Sequence, residues 1–299
     1  CWSLVGSEMC IRDRKYISKS KFPVVIKADG LAAGKGVTIA HSAEEAHKAL
    51  DDAMQKKIFG SAGTKVVIED FLQGEEASFI VLCDGKKTIP FASSQDHKAR
   101  DNNDLGPNTG GMGAYSPAPI VTEEIHKQVM EKIIKPTIDG LKSEGITYKG
   151  FLYAGLMIKN SEISVLEFNC RFGDPETQPI LMRMESDLAE ICLLAAQGNL
   201  NEREISWTKD SALGVVIASK GYPFEYEKNK EINNLENENP RQKVFHAGTK
   251  TQEGQVLSNG GRVLCVTALG STLLDSKNLA YQKVKNIDGK DGFYRDDIG

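Results

Sequence analysis

The chain has 299 residues, 40% of them hydrophobic and 26% charged, which gives room for about two domains with a sizeable core and excludes a disordered protein. Its net charge of −4 offers no basic field for nucleic acid or an anionic membrane surface. No apolar run approaches the ~20 residues that span a bilayer.

Six cysteines (Cys1, Cys10, Cys83, Cys170, Cys192 and Cys265) form neither a CxxC pair nor a metal-ligand spacing with the five histidines. They read as free thiols in a reducing cytosol, so a cytoplasmic protein with no nucleic-acid or membrane partner is expected. The stretch CWSLVGSEMCIRDR follows neither a helical nor a strand period and has no continuous apolar region of a signal peptide. With RDDIG showing no cap or tail pattern at the other end, the chain reads as a fragment whose residues 1–14 are candidates for a non-native leader.

In chain order, FPVVIK reads as a strand, ADGLAAGKG as a glycine-rich loop and VTIA as a second strand. SAEEAHKALDDAMQ reads as a helix, with Ser42 at its N-cap, Glu45 closing a capping box, and Ala46, Ala49, Leu50 and Ala53 at helical spacing. KVVIEDFL, ASFIVLCDG and KTIPFA are further strands. Residues 93–119 read as a long irregular loop of the functional kind. TEEIHKQVMEKIIKPTIDGLKSEG is helical, with a break or kink at Pro136. FLYAGLMIK and ISVLEFNCRF are strands, and SDLAEICLLAAQG is a helix capped by Ser186 and stopped by Gly198. Beyond residue 204, SALGVVIAS, KVFHAGT, GQVLS and RVLCVTALG are strands, joined by a helix around LLDSKNLAYQKVKNI.

Four stretches carry chemistry. GLAAGKG suits phosphate, because backbone N–H groups approach an anion where side chains are missing. It is not a Walker A loop: three residues rather than four separate Gly30 from Gly34, Gly36 stands where Ser or Thr would sit, and a strand follows. A hairpin with a glycine-rich tip fits better, and a merely structural turn is the alternative. Lys27 alternates with Val24 and Ile26, so it projects from the face opposite to them and calls for an anion unless it snorkels to solvent. Glu69 and Glu76 flank a strand and turn that could wrap an adenosine, or are two surface acids. In SVLEFNCRFGDPETQ, Glu167, Asn169 and Arg171 share one strand face, with Leu166, Phe168 and Cys170 expected on the other, in a core. A carboxylate and an amide ~7 Å apart suit Mg²⁺ shared with phosphate oxygens, and Arg171 suits a phosphoryl group. A surface ion pair between Glu167 and Arg171 is the alternative.

KADGLAAGKG, VIEDFLQGEEASF, SSQDHK, GPNTGGMGAYSPAP, GFLYAGLM, EFNCRFGDPETQ and GGRVLCVTALG together resemble the phosphoribosylamine–glycine ligase (glycinamide ribonucleotide synthetase) family of the ATP-grasp superfamily, from about Phe22 to Gly299. The resemblance implies an α+β fold with two ATP-grasp lobes gripping ATP and a small C-terminal α+β domain. The corresponding division is residues 1–20 unassigned, 21–83 the small lobe, 84–203 the large lobe with the metal strand, and 204–299 the C-terminal domain.

It also implies the reaction. ATP, glycine and 5-phosphoribosylamine would give glycinamide ribonucleotide, ADP and phosphate through a glycyl phosphate, in purine biosynthesis. By resemblance, Lys27 and Arg171 are the catalytic residues, Lys27 on the ATP phosphates and Arg171 steadying the transferring phosphoryl group. Gly34, Lys35 and Gly36 would lie in the loop that closes over the phosphates. Glu69 and the backbone of Phe71 and Leu72 would hold adenine, with Glu76 on the ribose. Glu167 and Asn169 would ligate Mg²⁺ or Mn²⁺. Asp96, His97, Lys98, Asn108, Gly110, Gly111 and Asp174 would contact glycine and the ribosyl phosphate.

Two departures from the family pattern stand out. GFLYAGLMI carries no second acidic metal ligand, and only CWSLVGSEMCIRDRKYISKS precedes Phe22 where the family has a further domain. The expectation is that this chain binds ATP and Mg²⁺ weakly and turns over poorly. Another ATP-grasp carboxylate–amine ligase, or a catalytically incompetent ATP-binding fragment, remains open. A protein kinase does not, because HRD-like and DFG sequences are missing.

Overall fold

The computed structural model describes residues 13–30, 32, 36–201, 203–236, 239–287 and 292–299. The chain divides into two compact units, Cys1–Gln73 and Gly74–Gly299.

In the N-terminal unit, strands β1 (Val24–Ala28), β2 (Val37–Ala40) and β3 (Val66–Asp70) form an antiparallel sheet in the order β2-β1-β3. Val24 and Ile26 are buried with Ala40, Ala46 and Leu50, so one sheet face rests on helix α1 (Ala43–Leu50). A π-helical turn at Asp51–Gln55 extends α1. Ser42 is the N-cap, its Oγ accepting from the Glu45 N–H at 3.2 Å. The capping box is only half made, because the Glu45 carboxylate accepts from the His41 N–H at 2.8 Å rather than closing on Ser42.

The second unit holds β4 (Glu75–Asp84), β5 (Thr88–Pro90), β6 (Gln95–Asp96), β7 (Ala99–Asp101), β8 (Leu105–Asn108), β9 (Gly113–Ser116), β10 (Lys149–Lys159) and β11 (Glu162–Asn169). An antiparallel sheet runs β11-β10-β4-β5. One face presents Phe79, Val81, Leu152, Ala154 and Ile158 to Ile125, Val129 and Ile134. Those three residues come from a single helical segment: α2 (Glu123–Val129), a π turn (Met130–Ile134) and α3 (Lys135–Ser143). Pro136 has no N–H to give the preceding turn, and the expected break takes the form of that π turn. The opposite face buries Ile80, Leu82 and Tyr153 against Ile180, Ile191 and Ala195 of α4 (Thr177–Arg183) and α5 (Leu188–Gln197). Asp187, not Ser186, caps α5, its Oδ1 accepting from Ala189 N at 2.8 Å and Glu190 N at 3.1 Å. A carboxylate serves the positive end of a helix better than a hydroxyl, and the Ser186 Oγ instead accepts from Ser206 N. Gly198, at φ 75°, ends α5 as expected.

Beyond these lie β12 (Ser211–Ser219), β13 (Gln242–His246), the hairpin of β14 (Thr249–Gln252) and β15 (Gln255–Ser258), β16 (Arg262–Gly270), α6 (Leu273–Asn286) and β17 (Gly292–Phe293). Their sheet runs β13-β16-β12-β9-β6, with β17 also on β12. Leu213, Val215, Leu264 and Val266 pack on Ala280 and Val284 of α6.

Residues 93–119 are therefore not the irregular loop expected. Strands β6 and β9 belong to the C-terminal sheet, β9 pairing Ala212↔Ser116 through Val215↔Gly113, and β7 and β8 form a hairpin. These strands are short, rich in glycine and proline, and paired with residues far along the chain, so no local alternation announces them. Cys83, Cys170, Cys192 and Cys265 are free, and no helix among the described residues is long and apolar enough to cross a membrane.

RDDIG has a structural task. Arg295 is 2% exposed, and its guanidinium donates to both Asp297 oxygens at 2.8 Å, to Asp104 Oδ1 at 2.7 Å and to Ala99 O at 3.2 Å. The segment thereby pins the β7–β8 hairpin. Arg295→Met is expected to cost about 2 kcal/mol, less than breaking a fully buried pair because Asp104 can return to water; a denaturant melt with an unchanged midpoint would contradict the clamp.

Candidate functional site

On the N-terminal unit, the register Val25↔Glu69 and Lys27↔Val67 places Lys27 and Glu69 on the sheet face opposite the buried Val24 and Ile26. Their side chains meet, Nζ to Oε2, at 2.5 Å. Val67, 42% exposed, and Ile39, 38% exposed, share that face with them. It thus offers apolar surface for a flat ring beside a cation for phosphate. β3 ends at Asp70, and among the described residues no hydrogen bond reaches the backbone of Phe71 or Leu72.

The base of the glycine-rich loop is closed by contact. A Cβ on Gly30 would lie 2.6 Å from the Ala62 Cα, and one on Gly36 would lie 2.7 Å from the Ala32 Cβ. Strands β1 and β2 pair antiparallel on either side of the loop, as a hairpin requires. Gly34 and Lys35 lie outside the described residues.

On the second unit, two registers define a polar face. β4 aligns Glu76 with Met157, Ser78 with Gly155 and Ile80 with Tyr153. β11 aligns Glu167 with Gly155 and Asn169 with Tyr153. Partners across an antiparallel pair point the same way, so Glu76, Ser78, Tyr153, Glu167 and Asn169 share one face. Gly155 lies in the row between Ser78 and Glu167; a Cβ there would sit 3.3 Å from Glu167 Cγ. Asn169 Nδ2 donates to Glu167 Oε1 at 3.3 Å, so carboxylate and amide converge as expected. Arg171 is exposed and donates to Phe172 O at 2.9 Å, and no ion pair joins it to Glu167 among the described residues.

The reverse side of β11 differs from expectation. Phe168 is 42% exposed, Cys170 is exposed and Leu166 only partly buried. β11 is the edge strand, and a bulge between Gly155↔Glu167 and Leu156↔Val165 leaves Leu166 unmatched. None of these three side chains is buried in a core among the described residues.

Asp96, His97 and Lys98 are divided by strand alternation. Lys98 Nζ lies 2.9 Å from Glu76 Oε2. Burial works against its charge, but Glu76, Asp96 and Glu167 outweigh burial and raise its pKa. Asp96 Oδ1 is buried without a hydrogen-bond partner. Burial first, then the Glu176 and Glu76 carboxylates, hold the Asp96 pKa well above the usual range, with Lys98 and Arg262 opposing. His97 turns away from this group: its ring lies 5.6 Å from that of Tyr115, and burial, then the Arg295 charge, lower its pKa.

Arg262, at the start of β16, assembles the rest. Nη1 donates to Gly110 O and Asp174 O at 2.7 Å each, and Nη2 reaches Asp174 Oδ2 at 3.0 Å. Gly110 N donates to the Tyr222 hydroxyl at 2.9 Å, and Gly111 N to Thr109 Oγ1 at 3.0 Å. Gly111, at φ 112°, lies so close to Asp96 that a Cβ would fall 2.5 Å from Oδ1. Asn108 pairs with Ala99 at the open end of the β7–β8 hairpin and is exposed. Gly110, Gly111, Asp174 and Asp96 are therefore brought together; the His97 backbone pairs with Met112 and Gly113 beside them, while the side chains of Asn108 and His97 make no hydrogen bond or ion pair with them among the described residues.

Sequence reasoning passed over Arg262, Ser78, Tyr153 and Glu176. Glu176 is 2% exposed and accepts from Ser78 Oγ at 2.8 Å, and Ser78 Oγ lies 2.9 Å from the Tyr153 hydroxyl. The signals were present: the acids of FGDPETQ exceeded what a turn needs, and the Arg of GGRVLCVTALG opens an apolar strand.

Among the described residues no group of three or more His, Cys, Asp or Glu is arranged to hold a metal ion. Glu167 and Asn169 are hard oxygen donors whose chemistry would suit a divalent ion, with the remaining ligands supplied from outside the described residues.

These features define an ATP-grasp protein, and the same fold recurs at 13% identity in the biotin carboxylase domain of the Hydrogenobacter thermophilus 2-oxoglutarate carboxylase, with a TM-score of 0.71 over 94% of this chain and 60% of that one. The ATP-grasp (A) domain model of phosphoribosylglycinamide synthetase matches residues 8–177, and the C domain model of the same family matches residues 212–299. The chain belongs to the phosphoribosylglycinamide synthetase family. The crystal structure of phosphoribosylamine–glycine ligase from Thermotoga maritima is 34% identical, with a TM-score of 0.86 over 97% of this chain and 72% of that one. The proteins named phosphoribosylamine–glycine ligase from Pasteurella multocida and Escherichia coli O157:H7 are 53% and 55% identical over 95% of this chain. The chain spans about two thirds of their length, 66% and 67% respectively.

Removing the Arg262 guanidinium by Arg262→Met is expected to speed hydrogen exchange at Thr109, Gly111 and Met112 about tenfold, the value of roughly one charged hydrogen bond, while the β4 and β10 amides keep their rates. Unchanged exchange at all three amides would show that the loop holds itself.

Proposed function

We propose that the chain catalyses ATP-dependent ligation of glycine to 5-phosphoribosylamine, giving glycinamide ribonucleotide, ADP and phosphate. The observation that carries this reading is the second unit's sheet face, where Glu76, Glu167 and Asn169 lie in register beside Lys98 in a member of this ligase family. We place the activity in the cytoplasm, where both nucleotide and purine precursors occur.

A carboxylate is a poor electrophile, so its activation comes first. The γ-phosphoryl group passes from ATP to a glycine carboxylate oxygen, releasing ADP. The amine nitrogen then bonds to the carbonyl carbon, and the C–O bond to phosphate breaks with its electron pair leaving on phosphate. Positioning and charge stabilisation account for such a path without a protein nucleophile.

On the N-terminal unit we assign Lys27 to the ATP phosphates with the loop ending at Gly36, and Glu69 with the Phe71 and Leu72 backbone to adenine. On the second unit we assign Glu76 to the ribose, Arg171 to the transferring phosphoryl group, and Glu167 and Asn169 to Mg²⁺ or Mn²⁺. A bound divalent ion supplies positive charge against the phosphate oxygens. Asp96, His97, Lys98, Asn108, Gly110, Gly111 and Asp174 are assigned to the glycine and phosphoribosylamine sites.

ADP release should depend on glycine and not on D-alanine, β-alanine or bicarbonate. Equal release with another carboxylate would assign a different ligase, and nucleotide binding with no acceptor-dependent release would assign a binding module. Glu167→Gln should keep the fold, read by circular dichroism, and lose metal-dependent turnover by at least about 100-fold. Undiminished activity in that variant would remove Glu167 from the metal.

A further inference from the structure

We propose that Asp96 takes the proton released when the acceptor amine attacks the acyl phosphate, and that buried Glu176 acts through Asp96 as a positioning residue. This rests on the functional reading above.

A carboxylate oxygen buried without a donor is costly unless something arrives to satisfy it. Asp96 Oδ1 is in that state, under the backbone of Gly111, where a side chain on residue 111 would strike it. The charged groups that face Asp96 are Glu176 at the start of α4, Glu76 on β4, Lys98 beside it and Arg262 on β16. Two carboxylates oppose its ionisation and two cations favour it. Both cations are engaged elsewhere: Lys98 meets Glu76 at 2.9 Å, and Arg262 meets Asp174 at 3.0 Å. Asp96 is thus held as a strong base among acids.

Glu176 is fixed in place. It is 2% exposed, its Oε1 accepts from Ser78, and Gly173 packs against its Oε2, 2.5 Å from where a Cβ would stand. Ser78 in turn lies 2.9 Å from the Tyr153 hydroxyl. A fixed buried negative charge beside a second carboxylate raises the proton affinity of that carboxylate, and the raised Asp96 pKa agrees with this.

The step balances. The neutral amine donates its electron pair to the carbonyl carbon, and the C–N bond forms. The C–O bond to phosphate breaks and its pair leaves on phosphate. The nitrogen, then positively charged, gives one proton to the Asp96 carboxylate, and a neutral amide remains.

The test pairs infrared spectroscopy with kinetics on the wild-type chain, Asp96→Asn and Glu176→Gln. The carbonyl stretch of a protonated carboxyl should titrate well above the usual carboxylate range in the wild type, and Asp96→Asn should lack it. In Glu176→Gln its midpoint should fall by about one pH unit, a tenfold loss of proton affinity. The acidic limb of the pH profile for amide formation should move down by the same amount in Glu176→Gln. An acid whose folded-state pKa is raised costs stability as pH rises above its unfolded value, so Asp96→Asn should also melt higher than the wild type at pH 8 while forming amide at least about 100-fold more slowly. That combination separates a lost base from a lost fold. Amide formation with an unmoved acidic limb, or with the high-pH carboxyl band persisting in Asp96→Asn, overturns the role of Asp96 alone. Amide formation absent from the wild type overturns the functional reading as well.

Discussion

The register of β10 between β4 and β11 is the constraint on which the rest of the second unit depends. A one-residue slip of β4 on β10 would turn Glu76 and Ser78 to the face that packs on α2 and α3, and a slip of β11 would carry Glu167 off the polar face. The apolar sets fix the alignment: Phe79, Val81, Leu152 and Ala154 must reach one helical layer, and Ile80, Leu82 and Tyr153 the other. Since Phe79, Val81, Leu152 and Ala154 alternate with the polar residues, while Ile80, Leu82 and Tyr153 continue their face, burying the core also arrays Glu76, Ser78, Glu167 and Asn169 together. Gly155 leaves the centre of that array without a side chain.

Once arrayed, the carboxylates exceed the cations that serve them. Glu76 has Lys98 and Asp174 has Arg262, but Glu176 is met by a serine hydroxyl and Asp96 Oδ1 by nothing among the described residues. Such a site is expensive for a folded protein and is stabilised by the surrounding layers. Arg262 couples those layers, since a single guanidinium from the C-terminal sheet holds both the glycine loop and the turn after β11. The strands β6 and β9 that carry Asp96 and enclose that loop belong to the same sheet. Binding elements and the C-terminal sheet are therefore one structure and not a loop laid over a domain.

Much of this was legible in the sequence, and for physical reasons. The strands flanking the glycine-rich loop, the apolar strands β4, β10, β12 and β16, and α6 all carry local periodicity that matches their burial. Glu167 and Asn169 share a face because strand alternation is a local rule. What stayed hidden was non-local. β9 is a strand only because β12 lies beside it, and β6 only because β9 does, and α4 was masked by Pro175 and Pro179 within an acid-rich turn. The expected core beneath Leu166, Phe168 and Cys170 failed because alternation says which residues share a face, but not whether anything packs against it. Glu176, Ser78 and Tyr153 have ordinary neighbours in sequence, and only the tertiary register makes them a network.

The central claim, activation of a carboxylate by phosphoryl transfer on this polar face, is tested most directly by oxygen isotopes. Glycine labelled with ¹⁸O in both carboxyl oxygens is incubated with the chain, ATP, Mg²⁺ and 5-phosphoribosylamine, and the released phosphate is analysed by mass spectrometry. The account predicts one ¹⁸O atom in each phosphate formed, because the C–O bond that breaks carries a carboxylate oxygen away. Glycine-dependent phosphate free of ¹⁸O would contradict it.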